Sequence, residues 1–195
     1  MNLRSKLALL SVLVLGFSAV ASAAVETYVI DPVHSSVGFN IRHFVSKVPG
    51  SFTKFAGTIK VDRDNWSNSS VDTSIDVTSF NTANEKRDAH VKSPDFLDAE
   101  KFNAITFKSK SWKKTGEDAF DVVGDLTIHG VTKEVVLQTK LLGFGPGGQG
   151  AMLSGWEATT KIKKSDFGVA GPAMLSKALG DEVTVNIAIE AKLAK

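Results

Sequence analysis

The feature that most constrains this chain is an apolar/polar alternation of period two, which recurs along almost its whole length and marks strands with one buried face. After "TYVID" come Val37, Phe39 and Ile41 against Gly38, Asn40 and Arg42, then Phe55, Gly57, Ile59 and Val61 against Ala56, Thr58 and Lys60. Val71, Thr73, Ile75 and Val77 oppose Asp72, Ser74 and Asp76, and Ile105 and Phe107 alternate with Thr106 and Lys108. Phe120, Val122, Gly124, Leu126 and Ile128 form a further row. "HGVT" at 129–132 reads as a tight hairpin into Val131, Val135, Leu137, Thr139 and Leu141. "GFGPGGQG" at 143–150 reads as a loop, followed by Met152, Ser154, Trp156, Ala158, Thr160 and Ile162. Val183, Val185, Ile187 and Ile189 close the chain.

These rows predict about eight or nine antiparallel strands joined mostly by short turns, an all-β chain that must close into a barrel or stack as a sandwich to hide its edges. Several rows reach about ten residues, which suits tilted up-and-down barrel strands better than the shorter strands of an immunoglobulin-like sandwich. A membrane barrel fits poorly, because its apolar rows would face lipid and its charged rows would line a channel. The inward rows also carry small residues, Gly57, Thr73, Gly124, Thr139, Ser154 and Ala158. An eight-stranded barrel has room either to be filled by side chains or to hold one slender ligand. Small inner residues fit a hollow, and they fit equally a packed interior that relieves crowding around a large neighbour such as Trp156.

The N-terminus places Arg4 and Lys6 ahead of an apolar run from Leu7 to Phe17 and ends in Ala21-Ser22-Ala23, the pattern of a secretory signal peptide cleaved after Ala23. A membrane span would need roughly 20 apolar residues. Residues 24–195 then form a single domain with no linker or internal repeat. Cleavage removes two of the 23 basic residues and none of the 21 acids, leaving a formally neutral chain. Nucleic acid rewards a basic face, so it is a poor partner. The chain has no cysteine, which excludes disulfides, a thiol nucleophile and lipobox-type anchoring. A free periplasmic or secreted protein without a transmembrane anchor is expected.

Catalytic spacings are absent. There is no GxSxG elbow, no phosphate-binding or dinucleotide glycine loop, and no HxH or HExxH among His34, His43, His90 and His129, so neither metal nor cofactor is expected. His34 in "DPVHSS" belongs to a turn, His43 ends a strand on its inward parity, and His129 belongs to the hairpin. The stretch "RDAHVKSPDFLDAEKF", 87–102, interrupts the alternation. Thr82-Ala83-Asn84-Glu85 reads as a capping box that starts a helix running towards Lys92. Arg87 and His90 then share a face. Ser93-Pro94-Asp95 caps a second short turn. Two readings stay open: Arg87 and His90 clasp a ligand head group, or Arg87 pairs with Asp88, Asp95 or Asp98 while His90 fixes a loop.

The blocks "IDPVHSSVGFNIRH", "GSFTKFAGTIKVD", "NEKRDAHVKSPDFLDAEKFNAITFKS", "GDLTIHGVTKEVVL" and "KIKKSDFGV" resemble, in order and over almost the whole chain, the YceI-like family of periplasmic polyisoprenoid-binding proteins. The resemblance implies an antiparallel eight-stranded lipocalin-like β-barrel with a short helical insertion. It also implies an apolar channel holding a long-chain isoprenoid lipid, a polyprenyl chain or quinone tail, and homodimers are common among similar proteins. The family's Arg-Asp-x-His helix matches Arg87, Asp88 and His90. Its Asp-Phe-Phe-Asp turn matches Asp95 to Asp98, with Leu97 for the second phenylalanine. Its Arg-Ser-Asp-Phe-Gly block matches Lys164 to Gly168, where lysine replaces an arginine that would hold a carboxylate more rigidly.

The expectation is a non-enzymatic carrier. Its ligand would be lined by Phe39, Ile41, Phe55, Ile59, Ile75, Val77, Phe107, Leu126, Leu137, Trp156, Ile162, Val185 and Ile187, with Phe96 and Phe102 over one end and Arg87 and His90 at a head group. Two other readings are an enzyme acting on a bound lipid or quinone and a packed envelope stress or interaction module.

Overall fold

The computed structural model describes residues 25–194, so the expected signal peptide lies outside the described residues. Within them lie eleven strands: β1 (Glu26–Ile30), β2 (Ser36–His43), β3 (Ser46–Phe52), β4 (Phe55–Val61), β5 (Ser70–Asp76), β6 (Phe80–Asn81), β7 (Ala104–Lys114), β8 (Ala119–Ile128), β9 (Val131–Pro146), β10 (Met152–Lys163) and β11 (Leu179–Leu193). One α-helix, α1 (Glu85–Lys92), lies between β6 and β7.

The strands pair antiparallel in the order β1-β4-β5-β7-β8-β9-β10-β11, and β11 pairs back onto β1, closing an eight-stranded barrel. The first half of β11 also pairs β2, which continues through β3 to β6. Three staves of the barrel are therefore broken: β1 runs on as β2, β3 as β4, and β5 as β6. This accounts for eleven strands where the alternation suggests eight or nine. Local side-chain bonds cause the breaks. Asp31 accepts the Val33 N–H at 3.0 Å, turning the chain between β1 and β2. Asp76 accepts the Thr78 N–H at 2.8 Å and caps a 3-10 turn over Val77–Ser79. The Ser79 hydroxyl accepts the Lys54 N–H at 3.0 Å, fastening that turn to the gap between β3 and β4.

The β8–β9 hairpin turns through His129 and Gly130, both at positive φ (52° and 75°), as the right-handed twist of its strands requires. A Cβ on Gly130 would also lie 2.6 Å from the Phe102 ring. The expected loop at 143–150 is shorter than it reads. β9 continues to Pro146 because Gly143–Pro146 pair with Met152–Gly155 across a bulge at Gly155/Trp156.

The lower end of the barrel is filled. Tyr28, Ile59, Val61, Trp112, Phe120, Val122, Leu141 and Trp156 are buried in one cluster, each large apolar side chain contributing about 1.5–3 kcal/mol. Trp66 closes it from the 62–69 loop, 4.6 Å from Phe120 between ring centroids. The buried Asp62 carboxylate holds that loop, accepting from Asp64 N–H, Asn65 N–H and Asn68 Nδ2 at 2.8–3.1 Å. Burial opposes its charge, but these bonds keep its pKa below the ordinary value, with Asn68 the largest cause. Trp112 and Trp156 meet edge-to-face at 5.6 Å. Their indole N–H groups have no hydrogen-bond partner among the described residues, and this ring geometry sets edge hydrogens against a π-face.

Candidate ligand cavity

Above the aromatic floor the barrel is hollow, with a cavity of about 430 Å³. Inward positions of the staves build the wall: Phe39 and Ile41 on β2, Phe55 and Ile59 on β4, Thr73 and Ile75 on β5, Phe107 on β7, Leu126 on β8, Leu137 and Thr139 on β9, Trp156, Ala158 and Ile162 on β10, and Val185 and Ile187 on β11. Phe96, Leu97, Phe167 and Leu175 cover the upper end. The charged and imidazole groups on the wall, His43, Arg87, His90 and Lys164, all belong to that upper end.

Most expected lining residues thus share one cavity, with two corrections. Val77 is buried at 2 % exposure in the upper packed cluster but is not on the wall, because the turn capped by Asp76 ends the alternation one residue before it. Phe102 does not cover the cavity: its ring packs under the hairpin, 4.4 Å from the His129 ring. Several wall residues escape the sequence pattern. Trp112 faces inward on even parity, whereas Ile105 and Phe107 do so on odd parity, because a bulge between Ser109 and Ser111 flips β7. Phe167, Leu175 and Ala178 come from the irregular connection between β10 and β11 and carry no periodic signal.

The small inner residues divide. Thr73, Thr139 and Ala158 line the hollow, while Gly57, Gly124 and Ser154 do not. A Cβ on Gly124 would meet the Phe107 ring at 2.5 Å and the Lys108 carbonyl at 2.6 Å. Gly124 therefore admits Phe107 and makes no channel.

The lid is polar inside itself. Asn84, and not the expected Thr82, caps α1, its side chain accepting the Arg87 N–H at 3.0 Å. The start shifts because Ala83 adopts φ 59° with its N–H on Asn81 Oδ1. Thr82 is used instead as a relay. Its hydroxyl accepts from Arg87 Nε at 2.7 Å and donates to the buried Asp88 carboxylate. Arg87 Nη2 also donates to the Thr82 carbonyl at 2.9 Å. Burial raises the pKa of Asp88, but the Thr82 bonds together with the Asn84 backbone and the Lys92 charge outweigh it and the net shift is downward. Arg87 thus reaches Asp88 through Thr82, with no direct pairing. His90 Nε2 lies 2.8 Å from Asp95 Oδ2 and its ring stands edge-on to Phe96 at 5.1 Å, so His90 fixes the 93–98 turn while remaining on the cavity wall. The turn itself is not helical, and Asp98 takes φ 46° within it. Lys164 donates to the Ala170 carbonyl at 2.8 Å and lies 3.9 Å from Asp181, a point-charge use consistent with lysine at that position.

Outside the cavity, His34 Nδ1 lies 3.1 Å from Asp31 Oδ2 and 3.7 Å from Glu190 Oε1. Spacing along the chain hides this grouping, since Glu190 arrives on β11. The cation facing Asp31 is Lys192, 2.6 Å away. The Lys192 hydrogen bond is the largest cause holding the Asp31 carboxyl well below its ordinary range, followed by His34 and the Val33 N–H. These contacts lock the β1–β2 turn to β11.

A closed antiparallel barrel of eight staves, floored by aromatics and hollow above them, defines a lipocalin-like architecture. Residues 28–191 match the family model for the YceI-like domain, and the chain belongs to that family. It is 41 % identical over 180 residues to Protein YceI of Escherichia coli O17:K52:H18, covering 89 % of this chain and 90 % of that protein. The crystal structure of the Campylobacter jejuni YceI protein matches with a TM-score of 0.69 at 31 % identity, covering 77 % of this chain and 88 % of that one. A polyisoprenoid binding domain from Saccharophagus degradans, implicated in plant cell wall breakdown, shares the fold with a TM-score of 0.68 at 15 % identity, covering 86 % and 98 %. No helix among the described residues is long and apolar enough to cross a membrane.

Proposed function

We propose that this chain is a periplasmic binding protein that carries a long isoprenoid lipid, a polyprenyl chain or an isoprenoid quinone, in the barrel cavity. The observation that carries this reading is the 430 Å³ hollow whose wall is predominantly aliphatic and aromatic, with a few threonines and with charged and imidazole groups only at its upper end. Burying about ten methylene equivalents of a prenyl chain supplies about 8 kcal/mol, which corresponds to roughly micromolar affinity. No covalent step is required. Its tail would point to the Trp112/Trp156 floor, and its head group would lie at the upper end beside Arg87 and His90. Membership of the YceI-like family supports the same ligand class, and the fold is one in which the Saccharophagus degradans domain is named as polyisoprenoid-binding.

All three tryptophans of the chain lie in the aromatic floor. Titrating delipidated protein with a polyprenyl quinone, whose tail packs on that floor, should therefore change tryptophan emission saturably, with one site per chain. Absence of a saturable emission change in folded protein overturns the reading.

A further inference from the structure

The β2–β3 hairpin tip and the connection that precedes β11 meet at the upper end of the barrel. Phe44 donates its N–H to the Ala178 carbonyl at 2.7 Å, and Arg42 Nη1 donates to the Phe44 carbonyl at 3.0 Å. These bonds hold Phe44 at φ 48°, a conformation that is uncommon for a bulky side chain and costs free energy unless its surroundings impose it. The outcome is an aromatic residue presented to solvent at 57 % exposure, beside Val45 at 102 % and, across the Phe44–Ala178 bond, Met174 at 87 % on the 3-10 turn Ala173–Leu175. Isolated apolar residues on a surface need no explanation, but a set held together by two pinned segments does.

The patch is continuous with the cavity. His43 and Val48 flank Phe44 and Val45 on the hairpin, Leu175 and Ala178 flank Met174 on the turn, and all four line the cavity wall. Residues 41–48 and 170–178 contain no aspartate or glutamate and carry the exposed cations Arg42, Lys47 and Lys177, while the acids beside them on β11 are engaged elsewhere: Asp181 accepts from the Ser165 hydroxyl at 2.7 Å and Glu182 pairs with Lys161 at 3.0 Å. Exposed aromatic and aliphatic tips ringed by Lys and Arg match the interfacial zone of an anionic bilayer, where apolar side chains enter the headgroup boundary and cations meet lipid phosphates.

We propose that this tip docks the barrel on an anionic lipid bilayer, Phe44, Val45 and Met174 inserting while Arg42, Lys47 and Lys177 face the headgroups, so that the cavity mouth lies against the membrane from which a ligand is taken. The proposal rests on the lipid-binding reading for its purpose, but vesicle docking and ligand binding are measured separately. The full chain is sedimented with vesicles of phosphatidylglycerol and phosphatidylcholine, and with phosphatidylcholine alone. Wild type should bind the anionic vesicles at least tenfold more tightly, and 0.5 M salt should weaken that binding. The double variant Val45→Glu/Met174→Glu, which changes two fully solvated side chains, should lose at least tenfold in vesicle binding. It should also slow transfer of a polyprenyl quinone between vesicles, while its equilibrium affinity for a short water-soluble prenol stays at the wild-type value. Lys47→Glu/Lys177→Glu should erase the preference for anionic vesicles. The proposal is overturned if wild type ignores both vesicle types, if the Val45/Met174 variant binds them as wild type does, or if light scattering shows that the patch instead joins two copies of the chain. Vesicle docking without prenol binding would leave the docking surface standing and sink the cavity ligand.

Discussion

Ala158→Phe tests whether the hollow is the ligand site. Ala158 lies mid-strand on β10, paired with Thr139 on β9 and Ile187 on β11, and all three line the cavity. Unlike Gly124, Ala158 already has a Cβ on the cavity wall, so a phenyl ring grown from it enters the 430 Å³ hollow without first meeting backbone. The ring adds roughly six carbon atoms, about the bulk of one isoprene unit, and each displaced CH2 forfeits about 0.8 kcal/mol. Expelling one unit costs about 4 kcal/mol, on the order of a thousandfold in Kd. A flexible chain that slides or bends recovers part of that loss, so a drop of roughly tenfold is the least the reasoning allows. In a well-packed core such a substitution destabilises by about 1–3 kcal/mol, whereas a ring entering empty space should hold or raise the Tm of the lipid-free protein. The assay is the saturable change in tryptophan emission on quinone binding, paired with thermal unfolding, with the outward Glu157→Gln on the same strand as control. A folded Ala158→Phe protein with wild-type affinity would refute the cavity as the binding site.

Other outcomes follow from the same contacts. Gly124→Leu, the obvious channel-blocking change from sequence, should instead destabilise the fold by at least the upper end of about 1–3 kcal/mol, because its Cβ alone collides with the Phe107 ring and the Lys108 carbonyl; chemical denaturation checks this, and wild-type stability would contradict it. Asp62→Ala should loosen the 62–69 loop, lower the Tm by several degrees and expose Trp66, read as a red shift in emission. Acid should act through Asp31, Asp62, Asp88 and Asp181, all with folded pKa values lowered from 3.8. Carboxyls depressed in the folded state contribute stability that is fully present above their unfolded pKa and is lost as pH falls through the folded values. The Tm should thus change little through these groups between pH 7 and 5 and fall below about pH 4; a Tm that rises on acidification below that point would reverse the sign.

The barrel was legible because its signal is periodic. Inward rows such as Phe120-Val122 on β8 and Val185-Ile187 on β11 keep their parity over whole strands, and the hairpin at His129-Gly130 carries its own turn chemistry. What escaped has local causes. The bulge after Ser109 flips Trp112 inward against the reading of its strand, and the Asp76 cap turns Val77 away from the row it continues. Thr82 resembled a helix cap because a threonine three residues before a glutamate fits that pattern. Its hydroxyl is instead drawn between Arg87 and Asp88, leaving the cap to Asn84. Small inner residues are ambiguous for a physical reason: Ala158 and Gly124 look alike in sequence, yet one faces empty volume and the other a neighbouring ring. Only the packed structure distinguishes them.

The most direct test of the central proposal is native mass spectrometry of the chain purified gently, without detergent, from the cells that produce it, followed by extraction and fragmentation of whatever is bound. A one-to-one adduct that fragments in steps of a five-carbon isoprene unit, and that is lost from Ala158→Phe, is the predicted result. Protein that carries no lipid, or carries only straight-chain acyl lipids that Ala158→Phe retains, would contradict it.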